Sequence, residues 1–158
     1  MSLEFSAGAL QEIEALKGQY PDVRALMLPA LHLAQREFGH VSLEAEQLVA
    51  ETLKVPLSDV HEAVTFYTLF HRTPPGEHVV YLCRTLSCWM RGADPLREQV
   101  CRKLGVHPGE TSADRKVTVL ESECLGACEQ APVALVDGDF VGPLDSDKVD
   151  QLLERLRR

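Results

Sequence analysis

Apolar residues recur at three- and four-residue intervals through the first 74 positions, then give way to alternation, and the architecture follows from that change of period. Leu10, Ile13 and Leu16 mark a helix over Ala9 to Lys17. Pro21 and Asp22 interrupt it. A second apolar helix runs to about Phe38, with Pro29 in its first turn and Gly39 as its C-cap. Ser42 caps a third helix, whose apolar side is Leu43, Leu48, Val49 and Leu53. Ser58 and Asp59 open a fourth, ending in VTFYTLF. That stretch brings Phe66, Tyr67, Leu69 and Phe70 together and predicts a mostly covered surface.

HRTPPGE, at 71–77, has two prolines and a glycine and reads as a linker. Beyond it HVVYLC and VTVLESEC read as strands. PVALV and DFVGPL form a hairpin about Asp137-Gly138, a pair suited to a tight turn. Pro143 makes the last strand an edge or ends it. GADPLREQVCRKLGV, stopped by Gly105, and DSDKVDQLLERLRR are helices. These four strands and two helices fit a small sheet covered by helices. The fold class is α+β, with a helical domain over 1–74 and a sheet domain over 75–158.

Charge narrows the function. Asp and Glu outnumber Lys and Arg 24 to 16, a formal charge of −8, which argues against nucleic acid as a partner. The N-terminal residues have no basic region and no apolar run, so no secretory leader is expected. ALMLPALHLA is broken by Pro29 and His32, so no direct membrane insertion is expected. The expected location is cytoplasmic, or peripheral through a complex. In a reducing compartment, paired cysteines point to metal or redox chemistry rather than structural disulfides.

The cysteines form two pairs, Cys83 and Cys88 as C-x4-C and Cys124 and Cys128 as C-x3-C, with 35 residues between the pairs. Each pair follows a predicted strand, where loops carry function on a rigid sheet. Four thiolates supply two ligands to each iron of a 2Fe–2S cluster. Zinc also takes four thiolates, although its knuckles favour C-x2-C. Spacing alone leaves cluster, zinc and unrelated or disulfide-bonded thiols open. Cys101 is a fifth cysteine outside both pairs. Gly92 and Gly126 would let backbone N–H groups approach a cluster's sulfurs. Arg84 and Arg91 would favour its reduced form, while Glu121, Glu123 and Glu129 oppose that. Histidines 32, 40, 61, 71, 78 and 107 show no ligand spacing. The sequence displays no nucleophile, general base or phosphate loop.

Taken with their surroundings these motifs are more specific. Cys83 and Cys88 followed by RGAD, and ECLGACEQAP around Cys124 and Cys128, resemble the thioredoxin-like 2Fe–2S subunit of NADH:quinone oxidoreductase, its E-type component. LPALHLAQREFGHVS, VAETLKVPLSDVHEAVTFYTLF, RTPPGEHVVYLC and LGVHPGETSADRKVTVLESECLGAC are similar to the same family, from about residue 20 to the end. The resemblance implies an N-terminal helical domain followed by a thioredoxin-like 2Fe–2S ferredoxin domain. It implies cluster ligation by Cys83, Cys88, Cys124 and Cys128, and leaves Cys101 unmatched. It further implies a non-catalytic electron carrier beside an FMN-binding flavoprotein subunit that oxidises NADH, with flavin and NADH held by that partner. Equivalent subunits serve NAD-linked hydrogenases and formate dehydrogenases. A zinc-stapled interaction module is the alternative of a different class. An isolated subunit of this kind is open to self-association.

Overall fold

The computed structural model describes residues 3–157. The chain divides after Pro74 into two compact units. The first is helical. Helix α1 is Ala7–Lys17, and the Ser6 hydroxyl at its N-cap accepts from the Ala9 N–H at 3.1 Å. A 3-10 turn, Val23–Leu26, leads into α2, Met27–Phe38. Pro29 sits in the first turn of α2, where its missing N–H costs nothing. Gly39 closes α2 in the left-handed region at φ 77°. Helix α3 is Leu43–Leu53, with Ser42 capping through Ala45 N–H; α4 is Leu57–Phe66. Leu26, Leu31, Val41, Val49 and Val60 form the heart of this unit's core.

Several sequence expectations change here. In α1 the buried face is Ala9 and Ile13, and Leu10 is exposed. In α3 Leu43 is exposed, while Ala45, Val49, Ala50 and Leu53 face inward. Helix α4 begins one residue before Ser58, at Leu57 behind Pro56. Asp59 lies in its first turn, as expected, and pairs with Arg24. The largest correction concerns VTFYTLF. Val64 is buried, but of the four large residues Phe66, Tyr67, Leu69 and Phe70 only Phe70 turns onto the core, its ring 4.9 Å from that of His32. Phe66 is 75% exposed, and Tyr67 and Leu69 are also exposed. The cause is the end of the helix: α4 stops at Phe66 and Tyr67 is extended, so helical spacing no longer gathers these side chains on one face.

The second unit is a four-stranded sheet in the order β2-β1-β3-β4. Strand β1 is His78–Cys83, β2 is Val117–Ser122, β3 is Ala134–Val136 and β4 is Asp139–Val141. β1 and β2 are parallel, with Cys83 opposite Ser122; β3 runs antiparallel to β1. The β3–β4 turn uses Asp137 at φ 53° and Gly138 at φ 97°, the left-handed pair a two-residue hairpin demands. The Asp137 carboxylate accepts from Val79 N–H at 2.8 Å and lies 2.7 Å from His78 Nδ1. β4 is an edge strand and ends at Val141, two residues before Pro143.

A short helix, α5 at Leu86–Met90, follows β1. Helix α6, Ala93–Leu104, is closed by Gly105, and α7 is Ser146–Leu156. Asp145 caps α7 by accepting from Lys148 N–H at 2.8 Å, an interaction worth about 1 kcal/mol. Val80, Leu82, Val117, Val119, Ala134 and Val136 meet Val100, Leu104, Val149, Leu152 and Leu153 in one core. Both long helices therefore cover a single face of the sheet. Gln99 ties them together, donating to Asp150 Oδ1 at 2.6 Å and to Ser146 O at 3.0 Å. Among the described residues no helix is long and apolar enough to cross a membrane.

Candidate cluster site

Parallel pairing brings the two cysteine segments together. Because β1 and β2 run the same way and in register, both chains leave the sheet at the same edge. Cys83 is the last residue of β1, and Cys124 lies two residues beyond the end of β2. Side chains alternate along β1. Val80 and Leu82 enter the main core, and Cys83 falls on the opposite face. There Cys83 and Cys88 pack with Ala93, Ala127, Ala131 and Val133, with Leu125 alongside. The two loops thus share one small apolar floor, separate from the core under the helices.

The pairs differ in depth. Cys83 and Cys88 are buried, Cys88 to 1% exposure, while Cys124 and Cys128 are exposed. Cys88 stands on α5 rather than on a loop, a helix that the apolar pattern of LSCWM was too short to announce. Leu86, Trp89 and Met90 occupy positions i, i+3 and i+4 of that turn and face outward. Cys128 begins a 3-10 turn, Cys128–Gln130. Cys101 is on α6, half-buried against the main core, apart from the other four.

Hydrogen-bond donors are aimed at the sulfurs. Gly126, at φ 79°, donates its N–H to Cys124 Sγ at 3.4 Å. The Thr85 hydroxyl lies 3.3 Å from Cys83 Sγ. Burial pushes the Cys83 thiol up, but bonds from the Thr85 hydroxyl and N–H, the Leu125 N–H and Cys88 outweigh it, and the net shift is downward. Burial pushes the Cys88 thiol up to about 11, opposed by the Val133 N–H and reinforced by neighbouring Cys83 and Cys128. Gly92 does not act as expected. Its N–H bonds Trp89 O at 3.0 Å, and its φ of 86° serves the turn between α5 and α6.

The arginines are also placed differently from what their positions in the sequence imply. Arg84 pairs with Glu123 at 3.0 Å and Glu121 at 3.6 Å. Arg97, which no motif marks, pairs with the same Glu121 at 3.1 Å and with Asp94 at 3.0 Å. Positive and negative charge beside the first cysteine pair therefore largely cancel. Arg91 donates to Ala131 O at 3.4 Å, bridging the two loops.

All five cysteines are free thiols. Cys124 and Cys128 bring their sulfurs to 3.9 Å, and Cys83 and Cys88 share one buried cluster. Among the described residues no three His, Cys, Asp or Glu side chains gather around a single ion. The sulfurs come as two couples instead. Four thiols in two couples, over an apolar floor and under N–H donors, suit a two-iron centre in donor chemistry and in number.

The family model for thioredoxin-like [2Fe-2S] ferredoxins matches residues 13–157.

The chain belongs to that family.

Membership implies a 2Fe–2S cluster as its cofactor. A relative in Rhizobium meliloti (strain 1021), the E 2 subunit of NADH-quinone oxidoreductase, is 44% identical over 93% of this chain and 88% of its own length. The E subunit of NADH-quinone oxidoreductase from Rickettsia bellii (strain RML369-C) is 35% identical over 99% of this chain and 95% of its own. Among solved structures, an NAD+-reducing [NiFe]-hydrogenase in the air-oxidised state matches 84% of this chain at 26% identity and a TM-score of 0.74. This chain spans 23% of that hydrogenase chain.

Proposed function

We propose that this protein is an electron-transfer subunit of an NADH:quinone oxidoreductase. In this reading Cys83, Cys88, Cys124 and Cys128 hold one 2Fe–2S cluster, which supplies a reversible one-electron couple. The observation that carries the assignment is that Cys83 and Cys88 pack with Leu125, Ala127 and Ala131, residues of the loop that bears Cys124 and Cys128. Cys124 and Cys128 take one iron and Cys83 with Cys88 the other, as their pairing suggests.

The chain's own residues set the conditions for that couple. Ala127, Ala131 and Val133 exclude water from the inner pair. N–H groups of Thr85, Leu125, Gly126 and Val133 stabilise charge on the sulfurs. The exposed Cys124–Cys128 side is the face across which an electron passes. The partner is an FMN-binding flavoprotein subunit that oxidises NADH. The chain then acts as a carrier with no active site of its own, peripheral to the membrane through its complex. Support for the assembly comes from the names and coverage of the E-type relatives. Leu86, Trp89 and Met90 beside the cysteines, and Phe66, Tyr67 and Leu69 in the helical unit, offer apolar contact surface.

A second reading places the same carrier in an NAD-linked hydrogenase, favoured by the 0.74 TM-score to the hydrogenase chain. Co-purification with chromosomally tagged protein separates the two by the subunits recovered. Iron and acid-labile sulfide analysis tests the cofactor. Two irons and two sulfides per chain, with one paramagnetic signal after dithionite reduction, are expected. A colourless protein with stoichiometric zinc overturns the assignment.

A further inference from the structure

Thr85 is the N-cap residue of α5, but its side chain makes no capping bond. At an N-cap the hydroxyl of threonine ordinarily accepts from a backbone N–H of the first turn, and losing that bond costs about 1 kcal/mol. Ser6, Ser42 and Asp145 follow that rule in this chain. The Thr85 hydroxyl instead lies 3.3 Å from Cys83 Sγ. Once Cys83 is a ligating thiolate it has no proton to give, so the hydroxyl is the donor.

We propose that Thr85 is a positioning residue that sets the reduction potential of the centre by donating its hydroxyl hydrogen to the Cys83 sulfur. The inference rests on the ligand assignment above. Reduction adds one negative charge to the centre, spread in part over the sulfurs. A donor fixed on one of them is worth more to the reduced form than to the oxidised form. The setting strengthens it. Cys83 is buried, so water does not substitute readily for a lost donor. Arg84, the residue after Cys83, is held by Glu121 and Glu123, so its charge is already compensated.

The test uses the full chain with its cluster assembled, comparing wild type, Thr85→Val and Thr85→Ser by redox titration monitored by electron paramagnetic resonance. Valine keeps the shape and removes the donor; serine keeps the donor and removes the methyl group. The valine variant should load two irons per chain, and at a fixed ambient potential its reduced-to-oxidised ratio should fall about tenfold, a shift of about 59 mV for one electron. Serine should restore the wild-type ratio. An unchanged ratio in a loaded valine variant overturns the proposal, and so does an equal shift in serine. If valine fails to load, Thr85→Ala carries the same comparison. Failure of both to load also overturns it, because the hydroxyl would then act in assembly. A wild type without iron and sulfide sinks the ligand assignment itself, an outcome distinct from all of these.

Discussion

The sulfurs of Cys124 and Cys128 lie 3.9 Å apart, close to the ~3.8 Å that two thiolates take on one tetrahedral ion with metal–sulfur bonds of about 2.3 Å. In the proposed centre, changing either residue removes one of the two protein ligands of one iron. Cys124→Ala and Cys88→Ala should each abolish the cluster, read as loss of visible absorbance and acid-labile sulfide. Cys101→Ala, half-buried on α6, should retain it. Equal loss in the Cys101 variant would show that the ligand set is wrong.

A Cβ at Gly142 would run into the backbone carbonyl of Gln130, with Pro132 O at 3.3 Å. Gln130 ends the turn that begins with Cys128. Backbone cannot yield as a side-chain tip does, so Gly142→Ala should destabilise the protein by about 1–3 kcal/mol. It should also lower iron occupancy by displacing the Cys128 turn. Urea unfolding and iron content of the same preparation check both effects. A variant as stable and as fully loaded as wild type contradicts the contact.

Glu46 is 1% exposed on α3, and its carboxylate meets His61 Nδ1 at 2.7 Å. His61→Leu leaves that carboxylate buried without its imidazole, a loss of about 1–3 kcal/mol. Water reaching the half-open side of His61 keeps the cost below that of a fully enclosed pair. Adding Glu46→Leu should recover most of it, because both polar groups are then gone. The cluster should be unaffected, since the pair belongs to the helical unit. A double variant as unstable as the single would assign the effect to packing instead.

Trp89 and Met90 are 57% and 71% exposed on a five-residue helix whose inner side carries Cys88. Trp89→Glu together with Met90→Glu should leave cluster content intact and weaken binding to the proposed flavoprotein partner at least tenfold, about 1.4 kcal/mol. Phe66→Glu asks the same question of the helical unit. Calorimetric titration separates the contributions. Unchanged affinity in both variants would remove these surfaces from the interface.

Periodicity made the long elements legible. Ser42, Gly39, Gly105 and the Asp137-Gly138 turn act as their chemistry predicts, because caps and tight turns depend on a few adjacent residues. All four strands were legible along the chain, though not their order in the sheet, and Pro143 foretold the end of β4. The failures have a common cause. Burial of VTFYTLF depended on where α4 stops, and Leu43 and Leu10 depended on which helices cover them. None of that is local. At the site, cysteine spacing marked out four positions as a group. It carried no sign that one pair lies deep and the other open. The role of Thr85 was hidden for a different reason: threonine before a short helix reads as an ordinary cap, and only the position of Cys83 shows otherwise. Arg84 read as a free cation because its partners, Glu121 and Glu123, come from another strand's end.

The hairpin carboxylate of Asp137 grips the first two residues of β1, at the end of the strand away from the sulfurs. A pleated strand has only two phases, and sliding it by one position inverts every side chain it carries. Holding His78 and Val79 therefore decides which way Cys83 points five residues on. The aim of the metal-binding edge is fixed at the opposite margin of the sheet, by a carboxylate that never approaches it.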